Sequence, residues 1–399
     1  MEYRNIPHFV IKNPMNKTST TGKVFGDEVT VTVLTDVCYR ITGQTQFTYD
    51  YVGNEYEDEF ISRSYNRGRT AIMQYRDEVA YISFSEQEIG GRNSSVQSVP
   101  TAYNMFYRNV YPKKNIYYYF LNVLGNADTS YQKFIYRLMS TVGFVFLNDL
   151  EAIGERIRPF NSIEDIMFNR RINTGRNQSN NPTYITKSSS RTIEVYGKTF
   201  GANKYETSLL CYALAMLCQR EQNIKLYQVV EGNLTILPNA SLEVIRQMGK
   251  IELIQTDMRL EKIQFEYNNS LRSPRYTYNL LNKLGKKHCA LCNCEIPELI
   301  QGAHIWPVSA IKKAPALTME QRLGYALDGE NGLWLCENHH KMFDEDLITF
   351  DQNGRLLFHN NIDRRHMRFI DEITKYHELP GEVVTEQFLW YLWQRHRAG

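Results

Sequence analysis

The spacing Cys289-x2-Cys292, followed by Cys336-x2-His339, constrains this chain more than any other feature of its sequence. Structural zinc takes four nitrogen or sulfur ligands in a tetrahedron, usually supplied as two close pairs from separate turns. One C-x2-C alone is as easily a pair of buried thiols. The second pair turns the pattern into a zinc knuckle that fastens two distant segments together. Cys294 sits at C-x-C, off the usual knuckle spacing, and is read as a neighbour of the ligands.

The rest of the composition agrees with a metal site. There are seven cysteines, an odd number, and four of them crowd into the region of the two pairs. The opening MEYRNIPHFVIKNP has no apolar core of a secretory signal, so a cytoplasmic, reducing location is expected and a disulfide framework is not. Histidine follows the same trend, since His8 is the one histidine among nine that precedes residue 280. No stretch approaches the roughly 20 apolar residues of a membrane span. A formal charge of +2 requires any nucleic-acid footprint to be local rather than global.

At 399 residues and 42% hydrophobic content, two or three domains are expected. Residues 1–150 are strand-rich: DEVTVTVLTDV and EVAYISFS alternate as half-buried strands do, and SYQKFIYRLMSTVGFVFL carries a helical pattern. Residues 151–265 read as a mixed α/β unit, with strand TIEVYG, loop KTFGANKYE, helix TSLLCYALAMLCQ and strand IKLYQVV. It opens on RRINTGRNQSNNPTYITKSSSRT, from Arg170 to Thr192, which is polar, basic and free of acidic residues and predicts an exposed loop. LRSPRYTYNLLNKLGKKH leads into a Cys/His domain over 280–360. Residues 361–399 form a helical extension ending in TEQFLWYLWQRHR, whose Trp390 and Trp393 are expected to pack on the body of the protein. The fold class is therefore α+β and multidomain.

Zinc accounts for His339 but not for His340. If a helix starts near Glu337, adjacent side chains diverge by about 100°, so His340 faces away from the site that His339 serves. Four residues on, Asp344 shares its face, making an imidazole and carboxylate pair suited to Mg2+, Mn2+ or another divalent ion. Taken alone, His340 is equally a residue of an ordinary helix face.

The run AHIWP, then DGENGLWLC, then HHKMFD resembles the HNH (ββα-metal) nuclease motif in its zinc-stapled form, over roughly residues 280 to 350. The resemblance implies a ββα-metal domain in which His304 is the general base and Asn331 holds the loop bearing it. It makes His340 a catalytic metal ligand, with Asp344 at the last ligand position of colicin nuclease domains, and it implies 5′-phosphate and 3′-hydroxyl products. Ala303 departs from the pattern, since that position commonly carries Asp or another ligand. Water or substrate phosphate would fill the place.

Long chains ending in such a domain are similar to bacterial type II restriction endonucleases. The implied function is sequence-specific cleavage of double-stranded DNA by a homodimer, with a cognate DNA methyltransferase protecting the same site. The alternatives are a modification-dependent defence nuclease and a catalytically inactive DNA-binding module on a zinc-stapled scaffold. The N-terminal region then selects the target. Its candidate DNA contacts are Arg63, Arg67, Arg69, Arg170, Arg171, Arg176 and Arg191, with Lys312, Lys313 and Lys341 near the motif. For each, an exposed polar side chain without a partner is the bland alternative. Glu194, Lys198 and Glu206, with Asp165 earlier, are similar to the acid and lysine set of a second nuclease type, although their spacing departs from E-x-K.

Overall fold

In the computed structural model the described residues are 6–12, 31–52, 69–84, 115–121, 130–147, 157–173, 183–198, 203–218, 222–230, 251–268 and 273–398. The sequence suggests boundaries in linear order, whereas the fold interleaves two compact units. One takes the described residues of Met1–Ser179, Phe200–Gln219 and Thr235–Ile251; the other takes those of Asn180–Thr199, Arg220–Leu234 and Glu252–Gly399.

The first unit holds strands β1 (His8–Lys12), β2 (Thr48–Val52), β3 (Arg69–Tyr75), β4 (Glu78–Phe84), β5 (Asn115–Leu121) and β6 (Phe144–Phe146), in sheet order β2-β1-β3-β4-β5-β6. Its helices are α1 (Val31–Thr42), α2 (Ser130–Thr141), α3 (Ile163–Asn173) and α4 (Asn203–Leu217). EVAYISFS forms β4 as expected, pairing with β3 across a two-residue turn where Arg76 takes φ 52°.

From Val31 onward DEVTVTVLTDV is helix α1 rather than the expected strand, and its first four residues lie outside the described set. The alternation of Val and Thr favours a strand by only a few tenths of a kcal/mol per residue. Against it, Leu34, Val37, Cys38 and Ile41 recur at helical spacing and pack with Phe9 and Met73 in one core. Burial of each such side chain contributes about 1.5–3 kcal/mol, so the helical period wins.

The expected loop from Arg170 to Thr192 is also corrected. Its start belongs to α3, and its end forms the antiparallel pair β7 (Tyr184–Ser189) and β8 (Thr192–Lys198). Residues 174–182 lie outside the described set. Arg170 turns inward, 5% exposed, and pairs with Glu206 at 2.5 Å.

In the second unit β7 and β8 join β9 (Asn223–Val229) and β10 (Ile251–Thr256) in the order β10-β9-β8-β7, with β8 and β9 parallel. Then follow α5 (Met258–Tyr267), α6 (Pro274–Leu284), β11 (Ile300–His304), α7 (Val308–Lys313), α8 (Met319–Leu327), β12 (Gly332–Cys336) and α9 (Glu337–Asp344). The chain continues through β13 (Ile348–Phe350), β14 (Leu356–Phe358), α10 (Arg364–Ile373) and α11 (Glu386–Ala398).

Helix α6 positions the rest. Ser273 caps its start by accepting from the N–H groups of Arg275 and Tyr276, Pro274 fits the first turn, and Gly285 at φ 75° ends it. Tyr276 and Leu280 press directly on the β11–β12 hairpin. A Cβ at Gly302 would lie 2.5 Å from Leu280 Cδ1, and one at Gly332 would collide with the Tyr276 hydroxyl. Glycine at both positions lets helix and hairpin meet.

At the C-terminus, Phe388, Tyr391 and Leu392 of α11 enter the same core. Trp390 packs there as expected. Trp393 does not: it is 50% exposed, with the Arg397 guanidinium 4.5 Å above its ring. Among the described residues no helix is long and apolar enough to cross a membrane.

Candidate active site and metal centre

Strand β11 runs antiparallel to β12, placing Ile300 opposite Cys336 and His304 opposite Gly332, and α9 leaves directly from Cys336. The hairpin and α9 thus carry Cys336, His339, His304, His340 and Asp344, with Cys289 and Cys292 supplied by the turn that precedes β11.

At the first end, Cys289, Cys292, Cys336 and His339 bring their ligand atoms within 4.8 Å of one another. Cys336 Sγ lies 3.1 Å from His339 Nδ1, Cys289 Sγ 3.5 Å from the same nitrogen, and Cys292 Sγ 3.8 Å from Cys336 Sγ. All the cysteines are free thiols. Three sulfurs and one imidazole nitrogen form the donor set of a closed structural zinc site, and the residues fit that ion. Cys289 is drawn below the usual thiol range by its hydrogen bond with Cys336, against the opposing effect of burial. Cys336 is pushed up to about 11, first by the same contact and then by burial. Cys294 stays outside the set and offers its carbonyl to the Cys289 N–H at 3.0 Å.

Sequence reading missed the residue that orients His339. Thr374, buried at the end of α10, donates its hydroxyl to the Ile370 carbonyl at 2.7 Å, and its oxygen lies 3.1 Å from His339 Nε2. With the hydroxyl proton committed, Thr374 accepts from Nε2–H, which leaves Nδ1 unprotonated and facing the sulfurs. A threonine far along the sequence carried no signal for this role.

At the other end His304 is half-buried and lies flat on Tyr276, with ring centroids 4.0 Å apart and planes 11° apart. Its Nε2 is 2.9 Å from the Ala326 carbonyl. A carbonyl only accepts, so Nε2 carries the proton and Nδ1 keeps its lone pair. Burial pushes this imidazole down to about 4, opposed by the Ala326 bond and reinforced by nearby His340, so it is neutral around pH 7.

Asn331, fully buried, grips the loop after His304. Its Oδ1 accepts from the Trp306 N–H at 2.7 Å, and its Nδ2 donates to the carbonyls of Trp306 at 3.2 Å and Tyr325 at 3.0 Å. Tyr276 adds to the clamp by donating toward the carbonyls of Asn331 at 3.2 Å and Ala303 at 3.4 Å. Arg395 of α11 was also missed: it bonds the carbonyls of Ile305 and Phe343 and pairs with Asp346 at 2.6 Å. Neither Tyr276 nor Arg395 lies inside the motif, and their roles depend on helices that return from elsewhere in the chain.

His340 and Asp344 share a face of α9 as the four-residue spacing predicts, with Nε2 and Oδ2 3.4 Å apart. The pair is partly open, His340 21% and Asp344 50% exposed. Ala303 is fully buried and contributes no donor. The pair therefore supplies one nitrogen and one oxygen donor.

The other candidates scatter. Arg63, Arg67 and Arg176 lie outside the described residues; Arg69 opens β3 and Arg171 lies in α3, with only their backbones described. Arg170 is committed to Glu206 and offers no guanidinium to a ligand. Arg191 is exposed at the β7–β8 turn and Lys313 at the end of α7. Lys312 bonds the Asn268 carbonyl over the Phe265 ring, and Lys341 pairs with Glu345. Asp165 pairs with Arg137 at 2.9 Å, Glu194 with Lys287 at 2.9 Å, and Glu206 with Arg170. Each of these carboxylates thus has a cation of its own. Lys198 ends β8, and only its backbone is described.

A ββα frame with a Cys3His cluster at one end and the half-buried His304 at the other defines the class. The chain carries an HNH-family nuclease domain: the HNH endonuclease family model matches residues 289–351, well under half of the chain. No match was found among curated proteins.

Proposed function

We propose that the chain is a metal-dependent endonuclease that cleaves double-stranded DNA at a specific sequence, in the manner of a type II restriction enzyme. One observation carries the reading: the proton of His304 is held at Nε2 by the Ala326 carbonyl, leaving a neutral Nδ1 free to take a proton. In the proposed reaction Nδ1 deprotonates the water that attacks a phosphodiester. The bond from phosphorus to the 3′ oxygen breaks, leaving 5′-phosphate and 3′-hydroxyl ends.

Tyr276 bonds the Ala303 carbonyl before His304 and Asn331 grips Trp306 after it, which supports a preset orientation for the imidazole. His340 and Asp344 would hold Mg2+ or Mn2+. When bound, such an ion supplies positive charge for the phosphate and the leaving oxygen. Zinc on Cys289, Cys292, Cys336 and His339 is structural in this proposal.

One centre cuts one strand, so a duplex break calls for a homodimer acting on a symmetric site. A cognate methyltransferase would protect the host copy of that site. Ala303 favours a second reading, an inactive DNA-binding module, because it removes a ligand position.

The test is digestion of methylated and unmethylated plasmids with Mg2+ or Mn2+, comparing wild type with His304→Ala. Discrete fragments from wild type alone support the endonuclease. Cutting confined to methylated plasmid assigns a modification-dependent nuclease. Equal cutting by both proteins removes His304 as the base, and no cutting by either leaves the binding module.

A further inference from the structure

We propose that the N-terminal half of α10 is a phosphate-contacting surface for duplex DNA, built from Arg364, Arg365 and Arg368. The proposal rests on the nuclease reading above for the identity of its partner, and on the helix itself for everything else.

All three arginines are exposed, and among the described residues none of them makes an ion pair. Several other cations of the same unit are paired, Lys283 with Glu330, Lys286 with Glu295, Lys341 with Glu345 and Arg395 with Asp346, whereas Arg259, Lys262 and Lys313 are single exposed charges outside such a cluster. Arg364 and Arg365 have no carboxylate three or four residues away on the helix, and Arg368, with Asp371 and Glu372 one turn on, makes no ion pair with either among the described residues.

The position of Arg364 and Arg365, in the first turn, is also unfavourable for the helix. The N-terminal end of a helix carries partial positive charge and the C-terminal end partial negative charge, so cations stabilise the last turn and anions the first. Helix α10 reverses this, with arginines at its start and Asp371 and Glu372 at its end. The cap is already served, since Asp363 accepts from the Arg365 N–H at 2.7 Å. Among the described residues no ion pair rewards these charges, which points to a partner that does.

The surface is mixed rather than purely basic. Phe369, four residues after Arg365, is 57% exposed, and Met367 is 37% exposed. Guanidiniums match phosphate oxygens in a fixed fork, and an aromatic beside them packs on sugar or base.

The mount is stiff. Ile370 is buried in the core of the unit, and Thr374 at the end of α10 accepts from the zinc-site ligand His339. The N–H groups of Lys375 and Tyr376 both donate to the carbonyl of Leu291, which lies between Cys289 and Cys292. The knuckle therefore fixes the helix at its acidic end and presents the arginines from the other. A polyanion held there is held on the same small domain as His304 and His340.

The experiment measures binding of the full-length protein to a labelled duplex of arbitrary sequence across a salt series, without divalent metal. Wild type is compared with the triple variant Arg364→Gln/Arg365→Gln/Arg368→Gln and with a charge control, Arg259→Gln/Lys262→Gln, which removes exposed cations from α5. The triple variant is expected to bind more weakly, with a slope of log K against log salt shallower by about 0.9 for each phosphate it no longer neutralises. It should keep its zinc and an unfolding midpoint no lower than wild type, and the control should keep the wild-type slope.

An unchanged slope in the triple variant, an equal weakening in the control, or no DNA binding by wild type overturns the proposal. So does loss of binding to phosphatidylserine vesicles with DNA binding intact, which assigns the helix to a membrane surface. The predicted slope change in a protein that never cuts DNA sustains the surface while the nuclease reading falls.

Discussion

The rings of Tyr276 and His304 lie 4.0 Å apart and nearly parallel, so a residue of α6 forms the floor under the proposed base. The Tyr276 hydroxyl also reaches the carbonyls of Ala303 and Asn331. Tyr276→Phe keeps the floor and loses two long hydrogen bonds, which should cost about 1 kcal/mol. Tyr276→Ala leaves a cavity and unsupported glycines at 302 and 332, and should cost about 3–5 kcal/mol. Chemical denaturation measures both. Turnover should fall far more in Tyr276→Ala, with His304 no longer confined to one orientation.

Asn331 makes three hydrogen bonds from a fully buried side chain. Asn331→Ala leaves the Trp306 N–H without its acceptor and two carbonyls without their donor. A loss of about 2–4 kcal/mol is expected from groups left unsatisfied in the interior. Asn331→Asp has nearly the same shape but lacks the donor, and brings a carboxylate toward two carbonyl oxygens. It should be no better than alanine; wild-type stability in the Asp variant would show that the clamp is not what holds the loop.

Zinc should be inseparable from the fold of the second unit. Cys289→Ser removes a ligand and is expected to abolish stoichiometric zinc and lower the unfolding midpoint sharply, because structural zinc binding is folding free energy. Cys294→Ser should retain zinc. Thr374→Val keeps the shape but deprives His339 Nε2 of its acceptor, and zinc affinity should fall about 10–100-fold. Metal analysis with a competing chelator distinguishes the three variants, and full zinc in Cys289→Ser would exclude that ligand set.

The imidazole of His304 makes stability depend on acidity. Its folded value is about 4, against 6.5 for an unburied histidine, so between these values the unfolded chain binds a proton that the folded chain refuses. The stabilisation is complete above about pH 6.5 and is lost as the pH falls toward 4. It amounts to at most about 3 kcal/mol. Unfolding midpoints from pH 7 to 4 should fall less steeply in His304→Gln than in wild type. Parallel curves would mean that His304 is not protected from protonation.

Much of the site was legible because its chemistry is local. The zinc ligands come as two pairs at fixed spacing, and the His340–Asp344 pair follows from the period of one helix, so both could be placed before any fold was known. The strands EVAYISFS and TIEVYG were readable for the same reason, whereas the helix from Pro274 was not anticipated. Local pattern failed where burial overruled it. The alternating Val and Thr run became α1 because Leu34, Val37 and Cys38 meet Phe9 and Met73 in one core. The basic segment from Arg170 became helix and hairpin, with its first arginine turned inward to Glu206.

The sequence by itself determined the ligand types, their spacing and hence the class of domain, since coordination number and helix period depend on neighbours along the chain. The tertiary structure decided which proton His304 carries, what lies beneath its ring, and which threonine orients His339. Those properties depend on Ala326, Tyr276 and Thr374, which reach the site only after α8, α6 and α10 have packed around the hairpin. Hydrogen-bond direction and burial are relations between distant segments, and no spacing along one chain encodes them.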